Sequence, residues 1–147
     1  MATRRGVIRS PTSGELIRIL MNGADSDLAF GLVEMAFAAG SSGPPLHVHP
    51  THGEGFYVLS GELSFQIDDE VISGGPGTWA FAPPDVPHTL ANLSDQDGRL
   101  LCLFTPAGFE RRFERILAEQ TGTETPGDRS DAERATRTVG PPIGPRT

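Results

Sequence analysis

The chain has no lysine. All twelve basic residues are arginine, scattered among nineteen acidic ones, for a net charge of −7 and a pI near 5.0. No basic stripe exists to follow a phosphate backbone, so nucleic-acid binding is not expected. The same acidic balance disfavours anionic membrane surfaces. No apolar run approaches the ~18 residues of a spanning helix. Residues 1–10 carry positive charge without the apolar stretch of a signal peptide. Cys102 is the single cysteine, which excludes an intramolecular disulfide and any multi-thiolate metal site. Cytoplasmic residence is the expectation that fits.

What the chain does have is turn chemistry. Eighteen glycines and thirteen prolines in 147 residues favour short strands over long helices, within one domain large enough to bury a core. Residues 15–21 and 28–37 read as strands, the second with a helix as its competitor because Ala and Met are frequent there. Strands follow at about 46–49 and 54–59, and Ser60-Gly61 reads as a two-residue hairpin turn. Residues 62–68 alternate, with Leu63, Phe65 and Ile67 on one face. Residues 78–82 alternate too, with Trp79 and Phe81 together. Strands at 86–93 and 99–104 complete the set. Thr105-Pro106 then reads as a helix start, with Phe109, Phe113, Ile116 and Leu117 along one face for packing. Beyond residue 120 the composition is Gly, Pro, Thr, Asp, Glu and Arg, with Val139 and Ile143 as the large apolar residues. That is too little to order a segment, and disorder is predicted for 121–147.

Three of the four histidines fall between residues 47 and 52. His47 and His49 are one residue apart, so on a strand both imidazoles point the same way. Glu54 lies at an odd separation from His49 and rejoins that side only if the chain turns, which Pro50 and Gly53 allow. Beyond the turn, Glu54 shares a face with Phe56 and Val58, residues suited to an interior. A buried carboxylate beside imidazoles is costly unless a cation compensates it. Neutral imidazoles with one carboxylate suit divalent Fe, Mn, Co, Ni, Cu or Zn. His88, from another strand, completes a shell of three histidines and one glutamate with positions left for substrate.

These residues resemble the two motifs of the cupin superfamily. The first is Gly, five residues, His-x-His, three or four residues, Glu, six residues, Gly. His47, His49, Glu54 and Gly61 fit it, with the leading glycine displaced to Gly40 or Gly43 around Ser41. The second is Gly, five residues, Pro-x-Gly, two residues, His, three residues, Asn. Gly77, Pro83, His88 and Asn92 fit it, with Asp85 in place of the internal glycine. The resemblance implies an all-β fold, a double-stranded β-helix or jelly-roll barrel with one C-terminal α-helix. The single cupin domain would span 1–120, with a metal-binding core at about 40–105 and the helix at about 106–120.

The 53–62 run is most similar to the quercetin-dioxygenase-like subset. That implies a metal-dependent dioxygenase-type oxidoreductase acting on a small enolisable or aromatic molecule. A redox-neutral isomerase, cyclase or lyase, and a ligand-binding cupin without turnover, stay open. The resemblance also implies a homodimer, through the outer sheet face that carries Tyr57. Glu54 is a candidate general base. His52 has three readings: a further metal contact, a proton shuttle, or a solvent-facing gate, the last being favoured because loops are usually exposed. Phe56, Phe65, Trp79, Phe81 and Phe104 read as barrel core, with some at a pocket mouth. Cys102 reads as a small core residue.

Overall fold

The structure is a computed structural model and describes residues 7–9, 16–123 and 127–144. Its strands are β1 (Val7–Arg9), β2 (Leu16–Met21), β3 (Gly31–Phe37), β4 (His47–Val48), β5 (Gly53–Ser60), β6 (Leu63–Ile67), β7 (Glu70–Gly74), β8 (Trp79–Ala82), β9 (His88–Ala91), β10 (Gly98–Thr105) and β11 (Arg137–Thr138). Its helices are α1 (Gly23–Ser26), α2 (Arg111–Thr121) and α3 (Asp131–Ala135). No described helix is long and apolar enough to cross a membrane.

The strands form two antiparallel sheets, one in the order β1-β2-β3-β10-β5-β8 and the other β11-β4-β9-β6-β7. Period-two patterning makes them. In β3, Gly31, Val33, Met35 and Phe37 are buried and alternate with half-buried neighbours, and in β10 Leu100, Cys102 and Phe104 face inward. The helix alternative for 28–37 fails here, because seven of its residues pair with β10 and five of those also with β2. The inward faces meet in one core that joins Ile17, Val33, Phe37, Phe56, Phe65, Leu100 and Phe104. This is the expected double-stranded β-helix.

Four expectations need correction. Ser60-Gly61 is not a hairpin turn, because β5 lies in the first sheet and β6 in the second. The turn carries the chain across the barrel. Gly61 is needed there on two counts: its φ is +75°, and a Cβ would sit 2.5 Å from the Asp97 carbonyl oxygen. Trp79 and Phe81 are not core; they are 52% and 41% exposed, while Ala80 and Ala82 face inward. The outward aromatics lie over Gly55 and Gly53, where a Cβ would collide with their rings.

The third correction concerns the helix. It begins at Arg111 rather than 106, after a loop in which Gly108 has a positive φ, and Gly122 closes it in a left-handed C-cap. The fourth concerns the tail. Residues 127–144 are placed, with α3 and β11 within them. Ser130 and Glu133 form a capping box at α3, Arg115 on α2 pairs with Glu133 at 2.9 Å, and β11 extends the second sheet beside β4. The segment has few large apolar residues and is held to the barrel by polar and backbone anchors. The remaining tail positions, 124–126 and 145–147, lie outside the described residues.

Candidate metal centre

Three short elements bring the cluster together. β4 pairs with β9 with His47 opposite His88, so their rings sit side by side, centroids 4.6 Å apart. Residues 50–52 turn the chain, as Pro50 and Gly53 predict, and Glu54 then faces inward from β5 at 5% exposure. Phe56 and Val58 are fully buried on the same face, and Tyr57 is 42% exposed on the other. His49 lies just past β4. Its carbonyl accepts a hydrogen bond from the Asp85 N–H at 3.1 Å. Asp85 has φ +68°, so it adopts the left-handed conformation that the motif's glycine would take, and the turn before His88 survives the substitution. Gly43 meets the other displaced motif position. A Cβ there would lie 1.6 Å from the Leu90 carbonyl oxygen. Asn92, fully buried, ties the following loop by donating to the Phe37 and Gln96 carbonyls.

One ligand atom each from His47, His49, Glu54 and His88 lies within 4.8 Å of every other, so these four can hold a metal ion. The Nδ1 atoms settle how the rings present themselves. His47 Nδ1 faces the Pro45 carbonyl at 2.7 Å, and His88 Nδ1 faces the Val86 carbonyl at 2.9 Å. A carbonyl only accepts, so both Nδ1 atoms carry protons. His49 Nδ1 lies 2.7 Å from Thr136 Oγ1.

Glu54 Oε2 is 2.6 Å from His88 Nε2 and 3.2 Å from His49 Nε2. The His49 contact has no hydrogen-bond geometry, and His49 Nε2 is a buried nitrogen with no hydrogen-bond partner. A bare imidazole nitrogen aimed at a buried carboxylate oxygen is an unfavourable pair unless a cation joins them. The donor set and this orphaned atom fit a divalent transition ion.

The protonation pattern follows from the contacts. Burial pushes the Glu54 carboxyl up, but the 2.6 Å hydrogen bond from His88 outweighs it and holds it well below the usual carboxylate range. Burial pushes His88 down, and the hydrogen bond to Glu54 overcomes that and raises it. With the Nδ1 proton given to Val86, the short Nε2–Oε2 bond holds one further proton between His88 and Glu54. A divalent ion would displace that proton. His47 is lowered to about 4, chiefly by burial.

His52 departs from the solvent-gate expectation. It is 1% exposed, stacks on His49 with centroids 4.4 Å apart, and packs against Phe109 and Phe104. Its loop is covered by the 104–109 region, which shields it from water. Its Nδ1 meets Thr51 Oγ1 at 2.9 Å, and its Nε2 is buried without a partner. Burial, followed by the neighbouring His49, lowers it to about 4. It stands outside the four-residue group but beside it.

Of the expected pocket residues, Phe56 and Phe104 flank the site, with Phe56 6.2 Å from the His88 ring and Phe104 5.7 Å from the His52 ring. Phe65 lies behind Phe56 in the core. Trp79 and Phe81 are on the outer surface, away from the site. Sequence reasoning missed three contacts. Phe109, assigned to helix packing, lies 4.5 Å from the His49 ring. Cys102, assigned to the core, also donates its thiol proton to Glu54 Oε1 at 3.0 Å. Its inward parity with Leu100 and Phe104 was a usable signal. Thr136 offered none.

A double-stranded β-helix that encloses three histidines and a glutamate is the architecture of a cupin. The chain belongs to the cupin superfamily, and residues 33–104 match the family described as "Cupin domain". An uncharacterized protein of Methanocaldococcus jannaschii is 29% identical over 98 residues, covering 63% of this chain and 74% of its own. Among solved structures, an RmlC-like cupin from Shewanella frigidimarina is 27% identical, covers 68% of this chain and 83% of that one, and superposes with a TM-score of 0.57. The protein TT1209 from Thermus thermophilus is 29% identical over 54% of this chain and 74% of that one, with a TM-score of 0.51.

Proposed function

We propose that the chain is a metal-dependent cupin enzyme that acts on a small enolisable or aromatic molecule, as a dioxygenase-type oxidoreductase. One divalent transition ion is held by His47, His49, Glu54 and His88. The observation that carries this reading is the set of three imidazoles whose Nδ1 atoms are engaged, with the Nε2 atoms of His49 and His88 against one buried carboxylate and one ligand atom of each of the four residues within 4.8 Å of the others. A bound ion supplies Lewis-acid polarisation of an oxygen substituent and, if redox-active, electron exchange with O₂.

The chain's own groups do the rest. Phe56, Phe104 and Phe109 form an apolar wall that excludes water from the cluster. Glu54, the one carboxylate of the cluster, is the candidate general base toward the substrate's hydroxyl. A cleft of about 650 Å³ lies between the 106–108 loop and α3, with Thr51 and Arg111 in its lining. Thr51 connects that cleft to His52.

A redox-neutral reaction is the second reading. It is favoured by His52, a neutral buried imidazole beside the cluster whose Nε2 has no hydrogen-bond partner in the fold and can hydrogen-bond a bound substrate. A polyketide cyclase, a sugar phosphate isomerase and a predicted oxalate decarboxylase share the fold below 25% identity, which bears on architecture alone.

The test has two steps. Metal content is measured in purified wild type and His88→Ala; occupancy that does not fall in the variant refutes the site. Oxygen uptake is then followed over a panel of phenols and enols with the metal fully loaded. Uptake supports the dioxygenase, whereas substrate loss without uptake supports the redox-neutral reading. A flat response to every compound in both assays refutes turnover on this substrate class. A homodimer belongs to the same proposal: Tyr57, Trp79 and Phe81 are exposed on one sheet face next to the edge strand β8. Light scattering with a monomer mass at 50 μM would exclude it.

A further inference from the structure

Two of the three ring orientations are set locally. Pro45 and Val86, which accept from His47 and His88, each lie two residues before the histidine they hold. His49 is held by Thr136, 87 residues away. The bond has a definite direction. Thr136 Oγ1 lies 2.8 Å from the Ala132 carbonyl oxygen, which can only accept, so the hydroxyl's single proton goes there. Toward His49 the hydroxyl oxygen is therefore an acceptor, and His49 Nδ1 must be the donor. In the neutral ring Nε2 then carries the lone pair, on the side facing Glu54.

Thr136 joins α3 to β11, and both flanks are fastened. On one side, Ser130 donates to the Gly108 carbonyl and Arg115 holds Glu133. On the other, β11 places Thr138 opposite His47, and the Val139 N–H reaches the Leu46 carbonyl at 2.8 Å. The strap is attached to the same strand, β4, that leads into His49. Motion of the hydroxyl relative to the imidazole is restricted from both ends.

We propose that Thr136 is a positioning residue of the metal centre, and that residues 127–144 are strapped across β4 to deliver it. It locks His49 in the Nδ1–H tautomer and presents Nε2 as a ligand. The consequence for metal affinity rests on the reading of this cluster as a metal centre; the tautomer does not. Outer partners of ligand histidines of this kind change affinity by about 10–100-fold when removed.

The test uses the full chain as wild type, Thr136→Val, which keeps the shape and removes the acceptor, and Thr136→Ser, which keeps the hydroxyl. Zn²⁺ affinity is measured by competition with a chelating indicator. Imidazole ¹⁵N shifts of the metal-stripped proteins report the tautomer of each histidine. The expected result is a 10–100-fold weaker Zn²⁺ affinity in Thr136→Val, near wild-type affinity in Thr136→Ser, and loss of the Nδ1–H preference at His49 alone. Wild-type affinity together with a retained Nδ1–H tautomer in Thr136→Val overturns the proposal. So does a wild-type His49 protonated at Nε2 alone, a measurement that needs no variant to fold. If wild type binds no Zn²⁺, the metal reading fails by itself, and the tautomer comparison still decides the role of Thr136.

Discussion

Acidification of the metal-stripped protein isolates the contribution of His52. The ring is 1% exposed, packed on His49, Phe109 and Phe104, and held neutral down to about pH 4. In the unfolded chain it takes a proton near 6.5. Between those values the unfolded state binds more protons, so stability falls as pH falls. The full shift corresponds to about 3.4 kcal/mol, of which about 2.5 kcal/mol is lost between pH 7 and pH 4.5. That is a large part of the 5–15 kcal/mol typical of a domain.

Neighbouring groups contribute with known signs. His47, lowered to about 4, acts in the same direction. His88 is raised, so its stabilisation is full below 6.5 and is lost as pH climbs through its folded value. Glu54 is depressed, so its stabilisation is present above about 4.5 and falls away below this window. The comparison of wild type with His52→Gln subtracts these shared terms. Urea titrations followed by far-UV circular dichroism at pH 7.0 and 4.5 give the numbers. Trp79 fluorescence would be a poor probe, since that ring is half-exposed on the outer face. Wild type should lose about 2.5 kcal/mol more than His52→Gln over this range. An identical pH dependence in the two proteins would show that the ring accepts a proton inside the fold, and the argument from burial would fall.

Asp85→Gly should stabilise the protein by roughly 0.5–1 kcal/mol, because position 85 has φ +68°, which glycine adopts without strain. A lower melting temperature would refute that. Cys102→Ala removes the thiol donor from Glu54 Oε1 and should cost about 1–3 kcal/mol in denaturant titrations, with Cys102→Ser recovering most of it. Equal losses in both variants would assign the effect to packing instead. Phe56→Ala, at a fully buried position between the sheets, should cost about 3–5 kcal/mol, and a loss under 1 kcal/mol would contradict the packing of the core.

Alternation was legible where one partner strand covers a whole face. In β5 it correctly put Glu54, Phe56 and Val58 inside and Tyr57 outside. It failed in β8 because parity says which residues share a face, not which face is inward. Trp79 and Phe81 were assigned to the core on size. The barrel instead takes Ala80, directly opposite fully buried Phe56, and Ala82 opposite Glu54. The large rings go outward over Gly53 and Gly55. That choice depends on the register between two strands separated in sequence by two others, and no window on β8 alone contains it.

The same distinction explains the candidate metal centre. His47, His49, Glu54 and His88 were legible because each sits in a short motif whose turns and carbonyls are neighbours in the chain. The partners that complete the site are distant. Cys102 reaches Glu54 from 48 residues away, Phe109 comes from the loop ahead of α2, and Thr136 comes from a segment whose composition predicts disorder. That segment needs little hydrophobic surface of its own, because it packs on the barrel through Arg115, Gly108 and β4. Its one local signature was the capping box from Ser130 to Glu133. Composition measures whether a segment can order itself. It is silent on whether an existing surface, with β4 beside it and Arg115 opposite Glu133, will do the ordering. The candidate ligands are therefore fixed by local sequence, whereas the tautomer of His49 is fixed by Thr136, 87 residues further along the chain.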